Sequence, residues 1–82
     1  MTREEVIAEV NRIMIDEFEL EEEILTPEAR LLEELELDSL DGVDFIVALE
    51  KRFECRIQEE EARKLSTLNE VYSYICEAKG IQ

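Results

Sequence analysis

Three segments of this chain place apolar residues at helical spacing directly after a helix-capping residue, and that combination most constrains the fold. Thr2 with Glu5 forms a capping box, in which each side chain accepts a hydrogen bond from the other residue's backbone N–H. Thr67 with Glu70 repeats the pattern before the last segment, and Asp38 is an N-cap signal before the middle one. No segment alternates apolar and polar residues, and one proline with two glycines leaves little turn chemistry for hairpins. The sequence therefore predicts an all-α protein.

The predicted architecture is a small antiparallel four-helix bundle that forms one domain over residues 1–82. Its elements are helix one over 2–18, helix two over 39–53, a short third helix over roughly 59–65 and a last helix of about three turns over 67–80. The residues expected to face the core are Val6, Ile7, Val10, Ile13, Met14, Phe18, Ile46, Leu49, Phe53, Ala62, Leu65, Leu68, Val71, Tyr72, Ile75 and Cys76, with Phe45 at the margin.

A long connection separates helices one and two, and a structureless loop of ~20 residues is uncommon inside a compact domain. Thr26 as a cap and Pro27 at the first helical position predict a short helical piece over about 27–34. The apolar side chains expected to anchor this loop to the core are Leu20, Ile24, Leu25, Leu31, Leu32 and Leu35.

The chain carries 23 acidic and 9 basic residues, a net charge of −14, while its 45% of hydrophobic residues is ordinary for a folded domain. This charge disfavours nucleic acid and anionic membranes as partners and favours proteins with basic patches. The N-terminus lacks a secretory signal pattern, and no apolar run approaches the roughly 20 residues that span a bilayer. We therefore expect a cytoplasmic protein without a membrane span, in which Cys55 and Cys76 are free thiols.

The stretch LDSLDGVDF places Ser39 at the start of helix two, in a chain that contains no histidine to serve as its general base. Taken alone, Ser39 is either a helix-start residue or a modification site. Asp38, Asp41 and Asp44 can form a solvated acidic helix start, which the helix dipole favours. They lack the spacing and central glycine of an EF-hand, and no metal site is expected.

Helix two carries more apolar residues than one core face requires. Leu40, Val43 and Val47, hereafter the apolar stripe, lie beside the core positions at 100° per residue. Flanked by Asp41 and Asp44, the stripe is either a shallow partner-binding strip next to the serine or part of a wider buried face.

The segments LDSLDGVDFIVALEKRF and EEEARKLSTLNEVYSYI resemble the stand-alone acyl carrier proteins over nearly the whole chain. The resemblance implies that a phosphopantetheinyl transferase attaches 4'-phosphopantetheine from coenzyme A to Ser39, and that the terminal thiol of this arm carries acyl groups as thioesters. It implies that Asp38 helps the transferase hold its metal, since magnesium prefers carboxylate oxygen. The protein would be a monomeric, non-catalytic carrier in fatty-acid or related acyl-chain biosynthesis.

The resemblance also implies which partners the chain has and where they bind. They would be synthases, ligases or acyltransferases with basic docking patches. The residues expected to contact them are Leu40, Asp41, Val43, Asp44 and Val47.

Several positions depart from the pattern of the common fatty-acid carriers. Glu36 stands where the family usually has glycine, followed by Leu37 instead of a small residue; the other departures are Lys51 and Arg52 in place of acidic residues and Gln58 in place of proline. Gly42 costs helix two roughly 1 kcal/mol relative to alanine, which clearance for an arm or a partner would explain. A second function therefore stays open, that of an unmodified acidic helical interaction module.

Overall fold

The computed structural model describes residues 1–81, without the side chain of Ser39. Its elements are α1 (Arg3–Phe18), a 3-10 turn (Glu22–Ile24), α2 (Ser39–Phe53), α3 (Glu59–Ala62) and α4 (Leu68–Ala78). The described chain contains no named β-strand, only an isolated antiparallel bridge between Arg30 and Thr67. None of the helices described is long and apolar enough to cross a membrane. The predicted all-α bundle with a long first loop and a short third helix is confirmed.

Both predicted capping boxes are present. Thr2 Oγ1 accepts a hydrogen bond from the backbone N–H of Glu5 at 3.2 Å, and Glu5 Oε1 accepts one from Thr2 at 2.8 Å. Thr67 and Glu70 repeat this arrangement before α4. Glu70 also accepts a bond from the Ser66 hydroxyl at 2.6 Å, and the hydrogen bonds from Ser66 and then Thr67 lower the pKa of the Glu70 carboxyl.

Helix α1 packs against both α2 and α4. Phe18 at the end of α1 meets Phe45 in the middle of α2 edge to face, with ring centroids 6.1 Å apart. Arg52 at the end of α2 reaches back to Glu9 of α1 at 2.8 Å, so these two helices run antiparallel. The buried residues of the helices are Val6, Val10, Ile13, Met14, Phe45, Leu49, Phe53, Leu68, Val71, Tyr72, Ile75 and Cys76.

Polar contacts join α1 to α4 at the edges of this core. The hydroxyl of the buried Tyr72 donates to Asn11 Oδ1 at 2.5 Å, which satisfies a polar group that burial would otherwise leave unpaired. Burial raises the pKa of the Tyr72 phenol, and the bond to Asn11 opposes part of that rise. The Arg3 guanidinium donates to Asn69 at 3.2 Å and to Ser73 at 3.3 Å. The two helices are therefore held by hydrogen bonds as well as by apolar packing.

The predicted helical piece over 27–34 is wrong, because this segment forms hydrogen-bonded turns. The carbonyl of Pro27 accepts from the backbone N–H of Asn69 at 2.9 Å, and that of Ala29 accepts from Leu68 at 3.1 Å. These carbonyls pair with the first turn of α4, whose N–H groups have no partner within their own helix. Pairing with α4 takes the place of the local pairing that a helix would need.

Two loop residues that were expected to anchor the loop to the core are exposed instead. Ile24 and Leu32 are 41% and 70% exposed. The loop is held instead by buried Leu25, Ala29, Leu35 and Leu37, with half-buried Leu20 and Leu31 packed against the same core.

On α2 the core and margin positions are exchanged relative to the prediction. Phe45 is buried, since it packs on the aromatic ring of α1, whereas Ile46 is half-buried beside a cavity that opens between α2 and α3. Helix α3 ends at Ala62, shorter than predicted, because the next turn tightens to bonds three residues apart. Leu65 still packs against the core.

Candidate functional site

Asp38 fixes the start of α2. Its Oδ1 accepts hydrogen bonds from the backbone N–H groups of Leu40 at 3.0 Å and Asp41 at 2.9 Å, which satisfies two of the unpaired donors at the helix N-terminus. Ser39 is the first residue of the helix, directly after this cap. Both the N-cap and the helix bounds agree with the prediction. The serine backbone is thus held at a defined helix end.

The two buried leucines ahead of Asp38 set the direction from which the chain enters the helix. Leu35 and Leu37 are buried, and the N–H of Leu37 donates to the carbonyl of Leu31 at 3.0 Å, closing the turn. Glu36 between them is exposed and has a φ of 55°, in the left-handed region that glycine occupies without strain. The glutamate therefore stands at a position whose backbone favours the glycine that the family usually has there.

The apolar stripe faces solvent. Leu40, Val43 and Val47 are 76%, 54% and 42% exposed, so the alternative of a wider buried face is wrong. Asp44 is exposed and Asp41 half-buried beside them. The two acids and the stripe form a surface with an apolar centre and a negative rim.

Positive charge lies at the far end of α2. The ion pair of Arg52 with Glu9 compensates one of the two cations there. Lys51 is exposed and takes part in none of the ion pairs among the described residues. Asp41 and Asp44 thus lie in the first half of α2, and its basic residues lie at its C-terminal end.

A cavity of about 710 Å³ opens between α2, the end of the long loop and α3. Asp38, Gly42 and Val43 line it beside the start of α2, and Leu32 lines it from the loop. The cavity walls are mostly aliphatic, with further contributions from Leu31, Leu37, Ile46, Val47, Ile57, Ala62 and Leu65. Asp38, Glu50, Glu59 and Arg63 add charged groups to the wall, so the aliphatic part of the cavity suits an apolar chain that carries polar groups at its edge.

Sequence reasoning missed Leu32 as a member of this surface. The helix predicted within 27–34 would place Leu32 toward the core. In the structure Leu32 is exposed and lines the cavity together with Val43 and Val47. Its position follows from the pairing of the loop with α4, for which the local sequence contains no signal.

Gly42 leaves an open place at the edge of the cavity. Apart from its chain neighbours and the adjoining helix backbone, no heavy atom would lie within 4 Å of a Cβ at this position. A group attached near the start of α2 therefore has room to lie over this part of the helix. Within residues 1–81 no group of three or more histidine, cysteine, aspartate or glutamate side chains is placed to hold a metal ion.

Comparison with known proteins decides among the classes of function that this geometry allows. The family model described as a phosphopantetheine attachment site matches residues 8–75. An acyl carrier protein from Rubrobacter xylanophilus is 42% identical over 77 residues, which cover 94% of this chain and 95% of the relative. The chain belongs to the acyl carrier protein family. Another acyl carrier protein, from Thermosynechococcus vestitus, is 40% identical over 75 residues, which cover 92% of this chain and 93% of the relative.

As a member of this family, the protein is a non-catalytic carrier of acyl groups on a phosphopantetheine arm. The alternative of an unmodified interaction module is not favoured.

Proposed function

We propose that Ser39 is the sole residue to which the arm is attached, and that the protein shuttles acyl groups between cytoplasmic enzymes of fatty-acid or related acyl-chain biosynthesis. The observation that carries the proposal is the position of this serine: it is the first residue of α2 and directly follows the Asp38 cap, which itself lines the cavity. Ser66 and Ser73 have neither an aspartate before them nor a leucine after them.

In this proposal the chain contributes position and charge to the attachment reaction, and the transferase contributes the base and the magnesium. The Ser39 oxygen forms a bond to the phosphorus next to the pantetheine, and the pyrophosphate bond of coenzyme A breaks. Adenosine 3',5'-bisphosphate leaves, and the hydroxyl proton goes to a base of the transferase. Asp38 holds the helix end still through its bonds to the backbone and adds a carboxylate that suits a magnesium ion of the partner. A fixed serine reduces the entropy lost in the transfer step.

The test is intact and peptide mass after incubation with coenzyme A and a phosphopantetheinyl transferase. The wild type is expected to gain one phosphopantetheine on the peptide that contains Ser39. Ser39→Ala should keep its helical circular dichroism and gain nothing, whereas Ser66→Ala and Ser73→Ala should still be modified. An arm on another residue would refute the assignment to Ser39, and an unmodified wild type would instead return the protein to the class of interaction modules.

We propose further that partner enzymes dock on the apolar stripe together with Asp41 and Asp44. The exposed apolar centre and acidic rim support a partner surface with an apolar contact ringed by lysine or arginine. Rim charges act mainly on the rate of association, whereas apolar contacts at the centre act on the lifetime of the complex.

The transferase itself is the probe for this face. Asp44→Lys is expected to slow the transfer reaction most at low salt, and Val43→Ala to weaken it at all salt concentrations. Lys51→Glu should cause little loss, because the attraction is concentrated near Ser39. Each variant is first shown to melt like the wild type. Unchanged kinetics in both Asp44→Lys and Val43→Ala would rule out this face as the docking site.

Leu32 extends the proposed face from α2 onto the loop, and Ile24 offers a matched control. Both are exposed apolar residues of the same connection, but only Leu32 lines the cavity beside the stripe. Leu32→Ser is expected to raise the KM for the carrier in the transfer reaction, and Ile24→Ser to leave it unchanged. Equal effects of the two substitutions would remove Leu32 from the face.

A further inference from the structure

Gly42 is a glycine that neither the backbone nor the packing of this protein requires. It lies inside α2, and Gly80 is the only glycine with a positive φ among the described residues. A Cβ at position 42 would meet nothing within 4 Å. Alanine there would fit without strain and would raise the folding equilibrium constant roughly fivefold through helix propensity alone. The bare helix surface therefore has no function within the fold itself.

The position of Gly42 identifies what could use this surface. It follows Ser39 by three residues, which is slightly less than one helical turn, or about 4.5 Å along the axis. It also lines the cavity of about 710 Å³, together with the aliphatic Leu37 and Ile46. Because Gly42 is the smallest of the residues that line the cavity near the start of α2, it offers the most open route for a group attached there and turned toward the cavity.

The chemistry of the arm fits such a place. Phosphate is followed by an oxygen, one methylene and then a carbon that bears two methyl groups, before the hydroxyl, the two amides and the thiol. This dimethyl carbon is the bulkiest part of the arm, it is apolar, and its tether to the serine is short. Moving it from water onto an aliphatic surface is favourable, and a bare helix surface lets it approach closely.

We propose that Gly42 is a binding residue for the arm, and that its bare surface seats the dimethyl carbon so that the arm leaves Ser39 toward the cavity. The proposal rests on attachment at Ser39. A larger side chain at position 42 occupies the seat and turns the arm into solvent. Glycine at this position thus lowers the stability of α2 and gives the arm a defined path.

The direct test is nuclear Overhauser spectroscopy on the isotope-labelled holo protein with an unlabelled arm. Intact mass first shows that the arm is present. The two methyl resonances of the arm are then expected to give cross-peaks to the Hα protons of Gly42. Absence of these cross-peaks, or cross-peaks to the apolar stripe instead, would overturn the proposal while leaving the attachment at Ser39 intact. A protein that gains no mass would refute both proposals.

Stability of the apo and holo forms gives a second readout through substitutions. Gly42→Ala should stabilise the apo protein roughly fivefold in its folding constant, as helix propensity predicts, and stabilise the holo protein less. Gly42→Leu should abolish the cross-peaks and any difference in unfolding midpoint between the two forms. Lys51→Leu, the same side chain on α2 away from the cavity, should leave that difference as in the wild type. If the holo protein gains as much from Gly42→Ala as the apo protein does, the arm does not use the seat.

Discussion

Replacing Glu36 by glycine is expected to stabilise the protein, although it removes a side chain. Glu36 has a φ of 55°, and a left-handed conformation costs a residue with a Cβ about 1–2 kcal/mol. Glycine adopts it without that cost but loses about 0.5–1 kcal/mol through the freedom of the unfolded chain. The side chain is exposed and makes no hydrogen bond among the described residues, so little else is lost. The net gain is about 0–1.5 kcal/mol with a midpoint of about 0.75 kcal/mol, and the midpoint corresponds to roughly 3–6 °C in melting temperature for a domain of this size.

Urea unfolding followed by far-UV circular dichroism measures this gain, with two controls that separate its causes. Glu36→Gln removes the same negative charge and keeps the strained backbone, so it reports the electrostatic part alone. Glu28→Gly places glycine in the same loop at a residue outside the left-handed region and is expected to be destabilising. If Glu36→Gly is no more stable than Glu36→Gln, the strain is not relieved and the reasoning from φ is wrong.

Three further outcomes follow from charges and protonation in the fold. Tyr72→Phe should lose the hydrogen bond to Asn11 and with it about 0.5–1.5 kcal/mol of stability. Because the pKa of Tyr72 is raised in the folded protein, the stability of the wild type should fall above about pH 10. Urea titrations should show a weaker fall in the variant. The pKa of Glu70 is lowered in the folded protein, so its ionised carboxylate contributes stability above the ordinary titration range near pH 4–5, and this stability is lost on acidification. Glu70→Gln should therefore flatten the acid side of the plot of stability against pH. Parallel plots for the variant and the wild type would contradict this. Added salt should raise the melting temperature, because a net charge of −14 repels itself and about 0.1 M salt screens beyond 10 Å; a flat response would exclude this repulsion as a significant term.

The helices and the candidate serine could be predicted from the sequence because their determinants are local. A capping box joins residues three apart, as Thr67 and Glu70 do, and apolar periodicity needs only a few turns of one helix. The same holds for the Asp38 cap, which fixes where α2 begins and so where Ser39 lies along it. The start of α2 at Ser39 was predicted for this reason, and the predicted end at about Phe53 also agrees with the structure.

What the sequence alone did not determine depends on contacts between distant segments. Pro27 predicted a helix in the long loop. The carbonyls of Pro27 and Ala29 instead accept hydrogen bonds from α4, and this pairing leaves Leu32 exposed beside α2. Whether Phe45 or Ile46 is buried depends on the ring of α1 and on the cavity that α3 leaves open. Periodicity assigns a residue to a side of its helix, but only the neighbouring elements decide whether that side is covered. The sequence by itself therefore determined the helices and the attachment motif. The tertiary structure decided which apolar residues stay exposed for a partner and where an arm has room, because burial is a property of the space between elements.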